Sequence, residues 1–439
     1  MISGKKLLMI IYYYPPIGGI GSLRTLKIAK YLPSLGWAPI VLTVSKNTLA
    51  VIACDEADGD LAGVTVFRTA NPDLAFRLKK TMGMSIEQHS SQLTVLENAV
   101  FSDSLKARAS DIMSQWIGIP DRMIDWYPFG RKQAFKLCER FKPSAVYSSS
   151  PPETTHLIAA AVKKRFGTPW LADMRDPWTN KINESRGRVP ATLDKKLERL
   201  TLGRADGIIA VADGIIDQLG VTAPQGHAVL QPNGFDEDDF NSVAAIESDR
   251  LKLNILFAGR FNYPSRDPRP LLEALRRLRD AGRDISMMQF DYAGIDGKLL
   301  LELARKQGVE SNVNVLGLVP HKESIARQKG ASALFYIQWE PGGERYQSGK
   351  LLEYLGARRP VLALMPTPGK KSNEFMKSTR VGVIARNTDD VTGILGNWLD
   401  EFERTGTLAY NGDVEKISRY SSLNMVSNIA DELNRISAP

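Results

Sequence analysis

Cysteine is almost absent: Cys54 and Cys138 are the only two in 439 residues. So sparse a thiol content excludes a disulfide scaffold and fits a reducing compartment. Histidine is nearly as scarce, with four in all, and no Cys or His recurs at metal-ligand spacing. Long apolar runs are missing as well; none reaches the ~18 residues that a membrane-spanning helix needs. The opening pair Lys5-Lys6 followed by Leu7–Ile11 has the outline of a secretory leader. That run is short, and Tyr12-Tyr13-Tyr14-Pro15-Pro16 follows in place of a small-residue cleavage site, so the segment reads as a buried strand. The expected location is cytoplasmic, at most peripheral on the inner face of a membrane.

What is present is an ordinary globular composition, 43% hydrophobic and 24% charged. The length suggests two or three domains. Acidic charge is in deficit, leaving a formal net charge of +8, and the deficit is local. Up to Asp236 there are 29 Lys and Arg against 22 Asp and Glu; beyond it there are 28 against 27. A basic first half suggests an anionic partner there, while modest positive charge that only aids solubility fits equally well.

Short apolar runs alternate with helical patterns. Leu7–Tyr13, Pro39–Val44, Ala145–Ser148, Trp170–Ala172 and Gly207–Val211 read as strands, with helices over Ser22–Leu35, Thr154–Phe166 and Asp194–Ala205. A polar, acidic break follows at Phe235–Arg250, and the alternation restarts. Strands over Leu253–Ala258, Met287–Tyr292, Val313–Leu316, Ala333–Ile337 and Val361–Leu364 are interleaved with helices over Pro268–Ala281, Lys298–Gln307 and Gly349–Ala357. Met425, Ile429 and Leu433 share one face of a final helix over Leu423–Ile436. Such βα alternation implies parallel sheets covered by helices. The expected division is an N-terminal domain over 1–240, a second over 241–415 and a closing helix over 416–439 that returns to the first. Leu74–Met123 has no clear period and is expected to be a helical insertion over the first sheet.

Ligands of such sheets bind beyond the carboxyl ends of the strands, so strand-to-helix loops are where chemistry is expected. The first such loop holds Gly18, Gly19 and Gly21, which let backbone approach a ligand at a helix N-terminus. A tight turn without a ligand fits the same residues. A dinucleotide fingerprint fits poorly, because Arg24 occupies the third glycine position and no acid follows the second strand. The second is Asp173-Met174-Arg175-Asp176, where two carboxylates and a guanidinium suit sugar hydroxyls or a developing cation, or form an ion pair that fixes the loop. The third, Gly259–Arg266, carries Arg260 and Arg266 with little acid nearby, the forked donors a diphosphate needs; a solvated basic loop is the plainer reading. The fourth places Ser348, Gly349 and Lys350 at a helix start and Glu353 one turn inside, so that amides face phosphate and the carboxylate two vicinal hydroxyls. Simple capping by Ser348 and a surface position for Glu353 account for these residues as well.

Taken in order and spacing, Pro15–Ser22, Pro169–Trp178, Pro232–Asp236, Gly259–Arg266 and Lys350–Leu364 resemble the family-4 retaining glycosyltransferases of GT-B fold. The likeness is greatest to bacterial members that build surface polysaccharides and glycolipids. It implies an α/β chain of two doubly wound Rossmann-like domains facing an interdomain cleft. It implies a UDP- or GDP-sugar donor, no metal and no cofactor, and a saccharide or lipid-linked acceptor. By position, Gly19 and Gly21 approach the donor, Arg260 and Arg266 hold the diphosphate, Ser348 to Lys350 border it, and Glu353 holds the ribose. Asp173, Arg175 and Asp176 are expected to line the reacting centre. The chain departs from the family at three points: Arg266 replaces a usual lysine, Arg175 a frequent histidine, and Arg345 the first of two glutamates, with Glu344 one step out of register. That missing glutamate leaves, as the alternative, an inert nucleotide-sugar-binding subunit. Phe76–Lys80 and Arg131–Lys142 mix basic and apolar residues, as contact with an anionic membrane requires, though an ordinary amphipathic helix against the core fits Arg131–Lys142 at least as well. No nucleic-acid motif is present, so no nucleic-acid partner is expected.

Overall fold

The computed structural model describes residues 4–17, 20–45, 64–72, 119–179, 187–219, 228–339 and 349–438. The chain divides into two units, Met1–Pro232 with Met425–Pro439, and Asn233–Asn424. Each is built on one parallel sheet.

The first sheet has β1 (Lys5–Ile11), β2 (Trp37–Val44), β3 (Thr65–Thr69), β4 (Ala145–Ser150), β5 (Trp170–Met174), β6 (Gly207–Ala210) and β7 (Ala228–Leu230). Their spatial order is β3-β2-β1-β4-β5-β6-β7, and every pairing is parallel. Central strands covered on both faces are buried along their length and mostly apolar. β4 and β5 accordingly bury every residue, and β1 buries its last five. The order reverses between β1 and β4, which makes their ends the switch point where α/β sheets bind ligands. Met425, Val426, Ile429 and Leu433 of the helix Ser422–Ile436 pack into this sheet's core beside Leu7, Met9 and Trp37.

The second sheet has β8 (Leu253–Ala258), β9 (Met288–Ala293), β10 (Val313–Gly317), β11 (Ala333–Ile337), β12 (Val361–Leu364) and β13 (Gly382–Ala385). They run in the order β10-β9-β8-β11-β12-β13, with the switch point between β8 and β11. One face packs Leu271, Leu275 and Leu278 of helix Arg269–Asp280 against Leu253, Ile255 and Phe257. The other packs Leu351, Leu352 and Leu355 of helix Gly349–Ala357 against Leu334 and Leu256. Each fully buried leucine there contributes about 1.5–3 kcal/mol of transfer free energy.

The acidic run after Phe235 is the start of a short helix, Glu237–Asn241. The Asp236 carboxylate caps it by accepting from the Asp238 amide at 3.0 Å, and Glu237, Asp238 and Asp239 lie in the first turn, where negative charge complements the helix dipole. Residues 73–118, which contain Phe76–Lys80 and most of Leu74–Met123, lie outside the described residues. Helix Tyr127–Phe141, over the second basic stretch, buries Ala134, Leu137 and Cys138 and sets Arg131 and Arg140 over its own Tyr127 and Phe141 rings. No helix among the described residues is long and apolar enough to cross a membrane.

Candidate active site

At the carboxyl end of β8 the chain turns through Gly259, whose φ of +148° is open only to glycine. The turn is braced from β9. Tyr292 OH donates to the Gly259 carbonyl at 3.0 Å, Asp296 Oδ2 accepts from the Phe261 amide at 2.8 Å, and the Phe261 and Tyr292 rings stack at 4.7 Å. Gly294 makes this possible, because a β-carbon there would lie 2.1 Å from the Gly259 oxygen.

The braced loop presents two half-buried guanidiniums. Arg266 Nη1 donates to the Arg260 carbonyl at 3.2 Å, and the Arg266 guanidinium lies 5.1 Å from the Trp339 ring just beyond β11. Neither arginine has a carboxylate partner among the described residues, and Arg260 Nε is buried without an acceptor. Nearby arginines of the same unit behave differently: Arg269 pairs with Asp267, Arg277 with Glu273, Arg283 with Asp400 and Arg305 with Glu310. Burial lowers the Arg266 pKa from its usual value, yet a guanidinium stays protonated in proteins. A desolvated cation without a counter-charge is costly and gains most from an anionic ligand.

Helix Gly349–Ala357 begins beside this loop. A β-carbon on Gly259 would come 3.9 Å from Lys350 Cε, and the Ala258 amide donates to Tyr354 OH at 3.2 Å. Gly349 opens the helix, with Asn233 Nδ2 3.4 Å from its would-be β-carbon. Glu353, whose side chain is 19% exposed, accepts from Lys350 Nζ at 3.0 Å and Gln328 Nε2 at 2.7 Å on Oε1, and meets His321 Nε2 at 3.2 Å on Oε2. Burial alone would raise its pKa; Lys350 and His321 outweigh it and hold the carboxyl well below the usual carboxylate range. The structure thus brings Gly259, Arg260, Arg266, Gly349, Lys350 and Glu353 to one strand end. Sequence reasoning missed His321 and Gln328, which come from the preceding helix His321–Gly330. Ser348, with Glu344 and Arg345, lies outside the described residues.

In the first unit the end of β5 is closed. Asp173 on β5 is 0% exposed and Arg24 4%. Arg24 Nε and Nη2 grip Asp173 Oδ2 and Oδ1 at 3.0 and 3.1 Å, and Tyr147 OH and Ser149 Oγ donate to the same carboxylate. Arg24 further donates to the Gln231 and Pro232 carbonyls, each at 3.1 Å. Burial opposes this charge, but Arg24 and its hydrogen bonds lower the Asp173 pKa all the same. Asp173 therefore ties helix Ile20–Tyr31 to β5 and to the end of the unit, and its partner is Arg24, not the adjacent Arg175. Arg175 instead donates to the Ser150 and Pro151 carbonyls at 2.8 and 2.7 Å and fixes the turn after β4; Asp176 is exposed. The three residues do not form one constellation. Gly18 and Gly19 lie outside the described residues, while Gly21 stands in the first turn of helix Ile20–Tyr31.

His156 is buried, with Nδ1 2.7 Å from Ser148 Oγ and its ring beside those of Trp170 and Trp178. Burial pushes its pKa down to about 3, which keeps the imidazole neutral.

Neither a protein-family model nor a curated protein matches this sequence. Solved structures match over the full length. Sucrose-phosphate synthase from Thermosynechococcus elongatus aligns with a TM-score of 0.61 at 13% identity, covering 98% of each chain. A glycosyltransferase from Rickettsia africae aligns at 0.58 and 14% identity, covering 99% of this chain and 98% of the other. The lipopolysaccharide outer core galactosyltransferase WaaB aligns at 0.54 and 14%, covering 97% and 98%. The architecture is the GT-B fold: two Rossmann-like domains on parallel sheets of seven and six strands. Glycosyltransferases are among its structural neighbours. Identity this low establishes fold, and function must be argued from the site.

Proposed function

We propose that this chain is a retaining glycosyltransferase that moves a sugar from a nucleoside-diphosphate sugar to a saccharide or lipid-linked acceptor without a metal. The observation that carries the reading is the pair of half-buried arginines, Arg260 and Arg266, held at a strand end without carboxylate partners. Two guanidiniums and the start of helix Gly349–Ala357 supply the fixed positive charge that a departing diphosphate requires. Preorganised donors of this kind are worth about 3 kcal/mol each and take the place of a metal ion. Glu353 is ionised and already oriented; a carboxylate has about four lone-pair sites and three are taken, so one ribose hydroxyl joins its present donors and a second displaces one of them.

Departure of the diphosphate leaves an oxocarbenium-like sugar. The acceptor hydroxyl adds on the face that the diphosphate leaves, and its proton passes to a phosphate oxygen, which preserves the anomeric configuration. Asp173 has no step here, since its oxygens are committed to Arg24, Tyr147 and Ser149. Exposed Asp176 is the member of that trio assigned to substrate.

A panel of UDP- and GDP-sugars incubated with the protein and EDTA tests the proposal, with product anomers assigned by NMR. Nucleoside diphosphate release with retained configuration is expected. Turnover only on added divalent metal, or an inverted anomer, contradicts it.

A further inference from the structure

Helix Arg188–Leu202 buries its acids and exposes a stripe of aliphatic side chains, the reverse of what a helix resting on a core needs along that stripe. Its two acids face inward. Asp194 is 3% exposed and accepts from Trp178 Nε1 at 2.9 Å; Glu198 is 6% exposed and accepts from Thr179 Oγ1 at 2.5 Å. Three large aliphatic side chains face outward instead, Val189 60% exposed, Leu193 46% and Leu200 57%, while Leu202 at the helix end is buried. Spacings of four and seven residues align the three on one stripe. Every cation from Arg188 to Arg204 is exposed as well, namely Arg188, Lys195, Lys196, Arg199 and Arg204. No acid is exposed on this stretch, so its outer surface carries a formal charge of about +5 at neutral pH.

Most exposed arginines of the second sheet's helices are neutralised by carboxylates, as Arg276 is by Asp280 and Arg277 by Glu273 and Asp389. Here the carboxylates are turned away and held by an indole and a hydroxyl. Aliphatic side chains in water cost free energy unless something covers them, and unpaired cations select an anion. A nucleic acid would use the cations and leave the aliphatic stripe idle; it would also want aromatic side chains for stacking, which this helix lacks. A lipid surface uses both, taking the aliphatic stripe into the acyl boundary and the cations onto headgroup phosphates.

We propose that the outer face of helix Arg188–Leu202 docks on an anionic lipid bilayer. This rests on exposure and charge in the first unit alone and is independent of the donor-site reading. Lysine and arginine side chains beside the stripe reach the headgroups while their stems lie along it.

The test is sedimentation of the full chain with phosphatidylglycerol–phosphatidylcholine vesicles and with pure phosphatidylcholine vesicles. The protein is expected to pellet with the first only, and less so as salt is raised. Replacing Leu193→Asp and Leu200→Asp together should abolish binding although every cation remains. Replacing Lys195→Gln, Lys196→Gln and Arg199→Gln should weaken it about five-fold per charge, on the order of a hundred-fold in all. All five positions are exposed, and a circular-dichroism melt checks that each variant folds; the glutamine variant carries the test if the aspartate variant does not. Equal binding to both vesicle types overturns the proposal, as does wild-type affinity in both variants. So does a self-associated chain, seen by sedimentation velocity, that dissociates in the aspartate variant without ever binding lipid.

Discussion

At the end of β5 a guanidinium and a carboxylate are sealed together; at the end of β8 two guanidiniums lie half-exposed, neither with a carboxylate partner among the described residues. Both places lie toward the carboxyl ends of parallel strands, β8 at its sheet's switch point and β5 one strand removed from its own. The histidines divide in the same way. His156 is enclosed between tryptophan rings, whereas His321 lies near the surface against Glu353. Charge at a strand end is therefore not a sign of chemistry in itself. What distinguishes a site is whether the charge has been satisfied by the protein or left for a ligand.

The sharpest way to break the contrast is to unseal the first strand end. Arg24→Met leaves the Asp173 carboxylate buried without its cation, and loss of one partner of such a pair costs about 3–5 kcal/mol. Urea unfolding should show this loss, with much of it recovered when Asp173→Asn is added. A loss below about 1 kcal/mol would mean that Asp173 is not structural and would reopen a direct role.

At the second strand end the expected effect is on turnover. Arg260→Ala and Arg266→Ala should each cost about 3 kcal/mol of transition-state stabilisation, roughly a hundred-fold in rate. The urea midpoint should stay put, since neither arginine holds a carboxylate. A fallen midpoint with unchanged turnover would make this end another structural anchor.

The histidines give a pH test. The folded pKa of His156, about 3, lies below its ordinary value of 6.5, so the unfolded chain binds the extra proton between the two. Stability should rise with pH across that window, by up to about 1.4 kcal/mol per unit, and level off above it. His156→Gln should remove this slope, measured as the difference in unfolding free energy between wild type and variant from pH 7 to 5. An identical pH dependence in the two proteins would show that the imidazole is not sealed. The smallest effect concerns His321→Ala, which removes one hydrogen bond to Glu353. Nucleotide binding should weaken by about 0.5–1.5 kcal/mol in calorimetry with little change in kcat; a kcat effect larger than the affinity effect would place His321 in the chemistry.

Much of this fold is legible in the sequence because buried parallel strands are written as continuous apolar runs. β1, β2, β4 to β6 and β8 to β12 all overlap the strands expected there. β3, β7 and β13 were not legible; they are edge strands of three to five residues, half-exposed, with no run to mark them. Helix Arg188–Leu202 begins six residues before its expected start, with Pro190 in its first turn. Gly259, Arg260, Arg266, Lys350 and Glu353 could be placed together because each sits at a strand or helix end. His321 could not, since its contact spans 32 positions, and nothing in the local pattern of its helix marks it. The partner of Asp173 is not legible for a related reason. Arg175, two positions on, is the nearer cation in sequence, but β5 ends at Met174 and Arg175 turns to the Ser150 carbonyl. The true partner lies 149 positions away, where only the parallel sheet brings it close.

The central claim, that the end of β8 is built for a nucleoside diphosphate, is tested most directly by titration calorimetry with UDP and GDP. The account predicts saturable binding of at least one of them in the presence of EDTA, weakened at least ten-fold by Arg260→Ala and by Arg266→Ala and unaffected by Lys195→Gln on the first unit. No binding of either nucleotide, or binding that both arginine variants leave intact, would contradict it.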